Sequence, residues 1–278
     1  MNTILVPLDF SEPSENALEF AVGIANDLKA NILLLHTEQM PIASYELEPV
    51  AFTIQNNIEL NTNLLLDRAN KIKEIYPSIG SINYSVEMGD LKSNITEYIR
   101  KKNIDLIVMG ITEKTSTLSK VFFGSNAITT SRSAKVPVII VPNKCRYSGI
   151  KNIAYACDYR EHAEGVNDLI EIKNISKIFK ALLNVIHIIP EGHLLTDKEV
   201  ETDTYIESQL DNIKHRSFIF PRKNIVAEIL DFIQVQKVDL IVLEQAKHSF
   251  FHEIFYPSVT KELAFNSPIP VMTIYKHE

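Results

Sequence analysis

The chain has 278 residues, of which 45% are hydrophobic and 23% are charged, and its formal net charge is −7. This hydrophobic content is enough to fill a core and excludes a disordered chain, while the negative charge argues against a nucleic-acid partner, because binding to phosphate backbones needs clustered Lys and Arg. No apolar run approaches the roughly 20 residues of a membrane-crossing helix, and no signal-peptide pattern follows Met1, so we expect a cytoplasmic protein without a membrane partner.

Strand and helix patterns alternate through the first half of the chain. Short apolar runs predict strands, and longer stretches with apolar residues at helical spacing predict helices, the first of them capped by Ser11. The alternation predicts right-handed crossovers and a doubly wound sheet, in which the nearly all-apolar run Ile104–Met109 is typical of a central strand. The predicted elements are strand Ile4–Asp9, helix Pro13–Leu28, strand Ile32–His36, helix Phe52–Tyr76, strand Ile82–Val86, helix Asn94–Lys102, strand Ile104–Met109, helix Ser125–Ala134 and strand Pro137–Val141.

The second half repeats this order of elements. Shared order together with residue matches indicates duplication of one unit. We therefore predict an α/β chain of two tandem doubly wound domains, each with a mostly parallel five-stranded sheet, at residues 1–145 and 150–278, with Asn143–Gly149 as the polar linker. The matching segments are Ile153–Asp158 with Ile4–Asp9, His187 with His36, Val238–Leu243 with Ile104–Met109, and Ile269–Val271 with Val136–Val138.

The duplication also predicts an internal pseudo-twofold axis. Strands Pro137–Val141 and Pro270–Ile274 are expected to meet across it, because pairing hides an exposed apolar edge. One chain would then mimic a dimer, and further association into a homodimer is left open.

Two strand ends of the first half have the residues of a ligand site. In a doubly wound sheet, ligands bind beyond the carboxyl ends of the strands, where the strand order reverses. Glycines there let backbone amides approach a phosphate, and the next helix N-terminus favours an anion. Gly110 and Gly124-Ser125 have these placements, and Asp9 could accept a hydrogen bond from an adenine amino group or a ribose hydroxyl.

These features resemble the universal stress protein family. The resemblance rests on Val6–Ser11, the strand-end His36, Val108-Met109-Gly110 with the later Gly124-Ser125, and Pro137–Pro142, and the whole chain resembles the tandem, two-domain form. Members that bind ATP use a loop of one glycine, two residues, a second glycine, nine residues, and a glycine with Ser or Thr.

The resemblance implies a fold, a role and a set of site residues. The implied fold is that of universal stress proteins and adenine-nucleotide α-hydrolases. The implied role is a regulatory or binding module of the stress response that binds ATP or another adenine nucleotide in its N-terminal domain. The sequence has no Gly-x-Ser-x-Gly elbow, Walker loop or Cys–His nucleophile signature, so we expect no enzyme. The implied site residues are Pro7, Asp9 and Thr37 near the base and ribose, and Met109, Gly110, Gly124, Ser125 and Asn126 near the phosphates.

The loop departs from the family pattern in both halves. In the first half, Glu113 stands at the place of the second glycine, and ten residues, Lys114–Phe123, separate it from Gly124. A carboxylate there would repel a triphosphate, although Lys114 or Lys120 could compensate. In the second half the glycine places hold Glu244, Lys247 and Pro257, so no phosphate loop is expected there.

Other functions stay open beside this one. The chain could be a structural or protein-interaction module that binds no nucleotide, or it could hold an apolar, lipid-like ligand. His248 and His252 have the spacing of two ligands to one metal ion, but no Glu directly follows His248, and no metal site is predicted.

The remaining histidines and the cysteines are interpreted as structural. His36 and His187 are predicted to be packed core histidines, since neither has a nucleophile partner in the sequence. His193 and His215 are predicted to be exposed loop or helix-end residues. Cys145 and Cys157 are interpreted as reduced packing residues.

Overall fold

The computed structural model describes residues 1–39, 47–111, 125–156, 167–189, 192–221, 224–244 and 257–275. In the first half it has strands β1 (Thr3–Pro7), β2 (Asn31–Glu38), β3 (Ile82–Met88), β4 (Leu106–Ile111) and β5 (Val138–Pro142), with helices α1 (Glu12–Leu28), α2 (Leu47–Ile75), α3 (Leu91–Lys102) and α4 (Ser125–Ser133). In the second half it has strands β6 (Asn152–Ala156), β7 (Leu182–Ile189), β8 (His215–Pro221), β9 (Leu240–Glu244) and β10 (Val271–Ile274), with helices α5 (Asn167–Phe179), α6 (Asp197–Leu210), α7 (Ile225–Gln236) and α8 (Pro257–Asn266).

Within the described residues, the ten strands form one sheet, in the order β3-β2-β1-β4-β5-β10-β9-β6-β7-β8. Each half has the same internal order, in which its third, second, first, fourth and fifth strands lie side by side. Neighbours within a half pair in parallel. The α/β, mostly parallel, doubly wound architecture is therefore confirmed.

The two halves meet at β5 and β10, which pair antiparallel with Met272 opposite Ile139. This confirms the predicted meeting of the two edge strands. The hydroxyl of Thr273 on β10 also donates to the backbone carbonyl of Ser131 in α4, at 3.0 Å, and this buried hydrogen bond links the halves. Two five-stranded halves thus form a single sheet, and the domain bounds 1–145 and 150–278 stay a prediction.

Helices cover both faces of the sheet. On one face, a core cluster that includes residues of α1, α2, α5 and α6 extends across both halves. On the other face there are two clusters, one beneath α3 and α4 and one beneath α7. Helix α8 contributes to both, with Ala264 in the cluster of the first half and Leu263 in that of the second.

Matched aspartates hold β4 and β9 in place. Asp105 accepts hydrogen bonds from the backbone N–H groups of Asn2 and Thr3, at 2.7 and 2.9 Å. Asp239 does the same for Lys151 and Asn152, at 2.8 and 2.9 Å. In each half the aspartate therefore ties the start of the fourth strand to the start of the first.

The linker packs on helix α1. Tyr147 donates from its hydroxyl to Asp27 at 2.7 Å, and its ring meets that of Phe20 edge to face. Any β-carbon at Gly23 would overlap the Tyr147 ring, so this helix position needs a glycine for the contact. The segment between the halves is thus attached to the first half.

The four histidines of the described residues divide into two groups. The prediction of core positions is confirmed for His36 and His187, which are buried. The prediction for His215 is wrong, because this residue begins edge strand β8 with its side chain only 13% exposed and bonded to Glu207. His193 precedes α6 and bonds to Glu199, while Cys157 lies outside the described residues.

Candidate ligand-binding site

A cavity of about 600 Å³ lies at the carboxyl ends of β1, β2 and β4. The N-termini of α1, α3 and α4 border it, and the strand order reverses there between β1 and β4. This is the position at which doubly wound sheets bind ligands. Of the eight site residues that the resemblance implies, Gly124 lies outside the described residues, and the cavity is lined by the other seven: Pro7, Asp9, Thr37, Met109, Gly110, Ser125 and Asn126.

The turn between β3 and α3 also lines the cavity, and sequence reasoning missed it. Gly89, Asp90 and Leu91 contribute to the wall. The available signal was an Asp in the segment between predicted strand Ile82–Val86 and predicted helix Asn94–Lys102, where Asp is a typical helix N-cap. Ser11 and Ser14, at the start of α1, also line the cavity and were not predicted as site residues.

Asp9 is an ionised acceptor at the end of β1. One of its carboxylate oxygens, Oδ1, accepts from both the backbone N–H (3.0 Å) and the hydroxyl of Ser11. Partial desolvation raises the pKa of the Asp9 carboxyl, but hydrogen bonds from Ser11 and Ser14 outweigh it, so the pKa lies below its ordinary value. Asp9 therefore presents a negative charge to the cavity at neutral pH.

Gly110 lets strand β4 approach the first turn of α1. A β-carbon at this position would overlap the backbone carbonyl group of Pro13. Sequence reasoning assigned Gly110 to close approach by a phosphate, whereas the described contact is with the protein backbone. The glycine thus brings β4 and α1 together at the floor of the crevice, which itself shapes the cavity.

Thr37 has a buried hydroxyl oxygen that no described residue bonds. The residue follows His36 near the end of β2, and it lines the cavity. A buried hydroxyl without a partner is unfavourable by about 1–3 kcal/mol. A polar ligand atom in the cavity could supply the missing partner.

A polar and aromatic network holds the β1–α1 turn beside the cavity. Phe10 has a left-handed backbone with φ of 61°, which is uncommon for a bulky residue. Its ring stacks on the His36 ring, with the two centroids 4.9 Å apart. The Arg68 guanidinium makes a cation–π contact with the Phe10 ring, 5.2 Å from its centroid. The guanidinium also pairs with Glu15 at 2.7 Å, so packing around Phe10 stabilises the strained turn that presents Asp9.

His36 connects this turn to β2 and α2. Its Nδ1 lies 2.7 Å from the carbonyl oxygen of Leu8, and its Nε2 lies 3.2 Å from the amide nitrogen of Asn61. The same Nε2 lies 3.3 Å from Oε2 of Glu38. Asn61 and Asn57 also donate to the carboxylate of Glu38. The histidine therefore acts in positioning the β1–α1 turn.

Residues 1–142 match the model of the universal stress protein family, which is just over half of the chain. The chain belongs to the universal stress protein family. A curated relative, universal stress protein MJ0531 of Methanocaldococcus jannaschii, is 29% identical over 143 residues, which are 50% of this chain and 80% of the relative.

Solved structures resemble the whole chain of this universal stress protein. A universal stress protein from Archaeoglobus fulgidus is 20% identical, with a TM-score of 0.75 over 99% of both chains. A protein of unknown function from Pseudomonas aeruginosa is 15% identical, with a TM-score of 0.62 over 99% of this chain and 93% of the other. At these identities the likeness shows the fold, and it covers both halves.

In the second half of this universal stress protein, a carboxylate stands at the position of Gly110. Glu244 ends β9 and is 4% exposed, and it accepts a hydrogen bond from the hydroxyl of Tyr155, which is fully buried on β6. The sequence predicted Glu244 as a loop residue, but it is a buried strand residue. Lys247 lies outside the described residues.

The described residues contain neither a metal-binding cluster nor a helix that could cross a membrane. Within them, no group of three or more His, Cys, Asp and Glu side chains could hold a metal ion, and His248 and His252 lie outside them. Among the helices so described, none combines the length and the apolar character needed to cross a bilayer.

Proposed function

We propose that this universal stress protein is a cytoplasmic binding module of the stress response that holds an adenine nucleotide in its first half. The observation that supports the proposal is the cavity at the point of strand-order reversal, lined by Asp9, Thr37, Gly110 and Ser125. A volume of about 600 Å³ is within the range of small-molecule sites.

The base and ribose would lie over the ends of β1 and β2. Asp9 supplies an ionised acceptor for an amino or hydroxyl group, and Thr37 supplies a hydroxyl that lacks a partner among the described residues. A bound nucleoside would satisfy both groups. Apolar wall residues, including Pro7 and Met109, would pack against its ring.

A phosphate would lie at the N-terminus of α4. Ser125, Asn126 and Ala127 line the cavity there, and the first turn of this helix contains no acidic residue. Backbone N–H groups and the helix dipole favour an anion at such an end. The first turn of α1, in contrast, contains Glu12 and Glu15.

The proposed role is binding and not catalysis. Among the described residues that line the cavity, the ionisable side chains are Asp9 and Asp90, and hydrogen bonds lower the pKa of each carboxyl. A carboxylate with a lowered pKa is a weak general base. Hydrolysis of a bound nucleotide would therefore be slow and incidental.

The second half is proposed to be a second universal stress domain that holds no nucleotide. Its strand order repeats that of the first half. In the second half the strand order reverses between β6 and β9, where buried Tyr155 and Glu244 form a hydrogen-bonded pair. A carboxylate therefore lies where a phosphate would approach. In this proposal the chain is a tandem protein with domains at 1–145 and 150–278, and the second domain covers the β5 edge of the first.

Titration calorimetry with adenosine, AMP, ADP and ATP tests the nucleotide proposal. Replacing Thr37 by Val keeps the side-chain shape and removes the hydroxyl, so we expect affinity for the best ligand to fall by about fivefold to tenfold. Thr3→Val is the matched control, because Thr3 lies at the amino end of β1, away from the cavity, and the substitution should leave nucleotide affinity unchanged. If none of the four compounds binds, the alternative of an interaction module without nucleotide replaces this proposal.

A further inference from the structure

Helix α4 connects the cavity to the second half of the chain. At its N-terminal end, Ser125, Asn126 and Ala127 line the cavity. Near its C-terminal end, the backbone carbonyl of Ser131 accepts the hydroxyl hydrogen bond of Thr273 from β10, at 3.0 Å. The helix has nine residues and is therefore only about 14 Å long. One short element thus forms part of the cavity wall and also contacts the other half.

The sequence of α4 gives it little helical stability of its own. Apart from Ala127 and Arg132, its residues are Ser, Thr, Asn and Ile, which form helices less readily than Ala, Leu or Lys. A helix of this length is also marginal in isolation, because few hydrogen bonds offset the cost of nucleating it. The position of α4 therefore depends on its tertiary contacts.

Thr273 supplies one of these contacts as a cap from the second half. Ser131 lies within the last four residues of α4, whose carbonyl groups have no partner in a regular helix. Ser131 and Thr273 are each 1% exposed, so their hydrogen bond is shielded from water. A buried carbonyl without a donor would be unfavourable. The second half thus completes the C-terminal end of α4.

Helix α8 of the second half adds an apolar contribution. Ala264 belongs to the buried cluster that also contains Ala127 and Ile128 of α4. Ala127 in turn lines the cavity. A buried cluster to which both halves contribute therefore extends to the cavity wall.

The cap is not reciprocated at the matching position of the repeat. Val138 in the first half matches Val271 in the second, so Ile140 stands at the position of Thr273. An isoleucine side chain has no hydroxyl and cannot donate to α8 in the same way. The half that receives the cap is the one proposed to bind nucleotide.

We propose that Thr273 is a positioning residue for the cavity end of α4, so that the second half supports nucleotide binding in the first. The inference rests on the proposed nucleotide site and assigns a function to the second half. Thr273 lies outside the cavity and acts by holding α4 in place. A phosphate at the N-terminus of α4 depends on that placement, whereas a nucleoside over the ends of β1 and β2 does not.

Calorimetric titration of the full chain with adenosine, AMP and ATP tests the inference, because adenosine has no phosphate. In Thr273→Val, affinity for the nucleotide that binds more tightly should fall by about threefold or more, while affinity for adenosine should change by less than about twofold. Equal losses for nucleotide and adenosine, or no loss for either, would overturn the inference. Adenosine that binds the unmodified protein as tightly as both nucleotides do would also overturn it, since the phosphate then gains nothing from α4.

Two further variants separate the hydroxyl from general destabilisation. Thr273→Ser keeps the hydroxyl and should restore nucleotide affinity to within about twofold of that of the unmodified protein. Thr202→Val removes a similarly buried hydroxyl of the second half, which donates to the carbonyl of Lys198 within α6 at 2.8 Å. This control should leave the affinities unchanged. The same loss of nucleotide affinity in Thr202→Val as in Thr273→Val would refute a specific role of the cap.

Hydrogen exchange in the unmodified protein gives a test that needs no substitution. Because coupling between two sites is reciprocal, the saturating nucleotide should slow exchange in peptides of α4 and β10 more than saturating adenosine does. Protection that appears in α4 but not in β10 would overturn the inference. Failure of all three compounds to bind would instead refute the proposed nucleotide site, and the role of Thr273 with it.

Discussion

Gly110 and Phe10 show how single residues shape the cavity through backbone contacts. Gly110 permits β4 to touch the carbonyl group of Pro13, and Phe10 adopts a left-handed conformation that the His36 ring and the Arg68 guanidinium stabilise. A glycine at a strand end was visible in the sequence. Its partner was not, because Pro13 is remote along the chain and meets Gly110 only after the sheet has formed.

The contact at Gly110 predicts a loss of stability that does not depend on ligand. Gly110→Ala should lower the free energy of unfolding by about 1–3 kcal/mol, since the added methyl group forces β4 and α1 apart. Urea denaturation without nucleotide measures this. Gly192→Ala is the comparison: this glycine has φ of 81° and no atom near an added β-carbon, so it reports backbone strain alone, about 1 kcal/mol. A smaller loss at Gly110 than at Gly192 would contradict the packing role.

At the scale of elements, the sequence predicts the alternation of strands and helices, the duplicated order and the position of the cavity. These features depend on local signals, namely the spacing of apolar residues and the motifs at strand ends. Boundaries were harder: β4 begins two residues after the predicted Ile104, since Asp105 is used to hold the backbone of Asn2 and Thr3. Asp90 was missed because its signal lies in a turn after an edge strand, outside the family motif.

Edge strand β8 is fastened to α6 by one acidic side chain. Glu207 accepts from the His215 ring at 2.8 Å and also from the hydroxyl of Ser217. Burial lowers the pKa of His215, but hydrogen bonds to the carbonyl of Ile213 and to Glu207 outweigh it and raise the pKa above the ordinary value. The contact therefore stabilises the fold below the ordinary histidine pKa of about 6.5 and is lost as the pH rises through the folded pKa.

This linkage predicts a pH-dependent effect of His215→Gln. The stability difference between the unmodified protein and the variant should be largest near pH 6 and should shrink toward pH 8.5, as the ring loses its charge. Urea denaturation at a series of pH values measures the difference. Because Glu207 is 43% exposed, we expect a small effect. A difference that stays constant across this range would show that the ring acts by packing alone.

On the scale of the whole molecule, the antiparallel β5–β10 pair makes one sheet from two repeats. It removes two apolar edges from solvent, and the core on the face of α1, α2, α5 and α6 continues across the joint. The pairing could be predicted from the duplication, whereas the Thr273 hydrogen bond to Ser131 could not, because neither residue carries a sequence signal. The halves are therefore expected to unfold with coupled stability.

Thr273→Val tests that coupling. The substitution keeps the shape of the buried side chain and removes the hydroxyl that donates to the Ser131 carbonyl, so it should lower the free energy of unfolding by about 1–3 kcal/mol. Hydrogen exchange read by mass spectrometry should speed up in peptides from α4 and β5 of the first half as well as in β10. Thr204→Val removes an exposed hydroxyl that bonds only within α6, at 2.9 Å, and serves as the control with little change expected. If exchange rises only in the second half, the two halves behave as separate folding units. A shared sheet couples the stability of the halves only when loss of a contact in one half also increases local unfolding in the other.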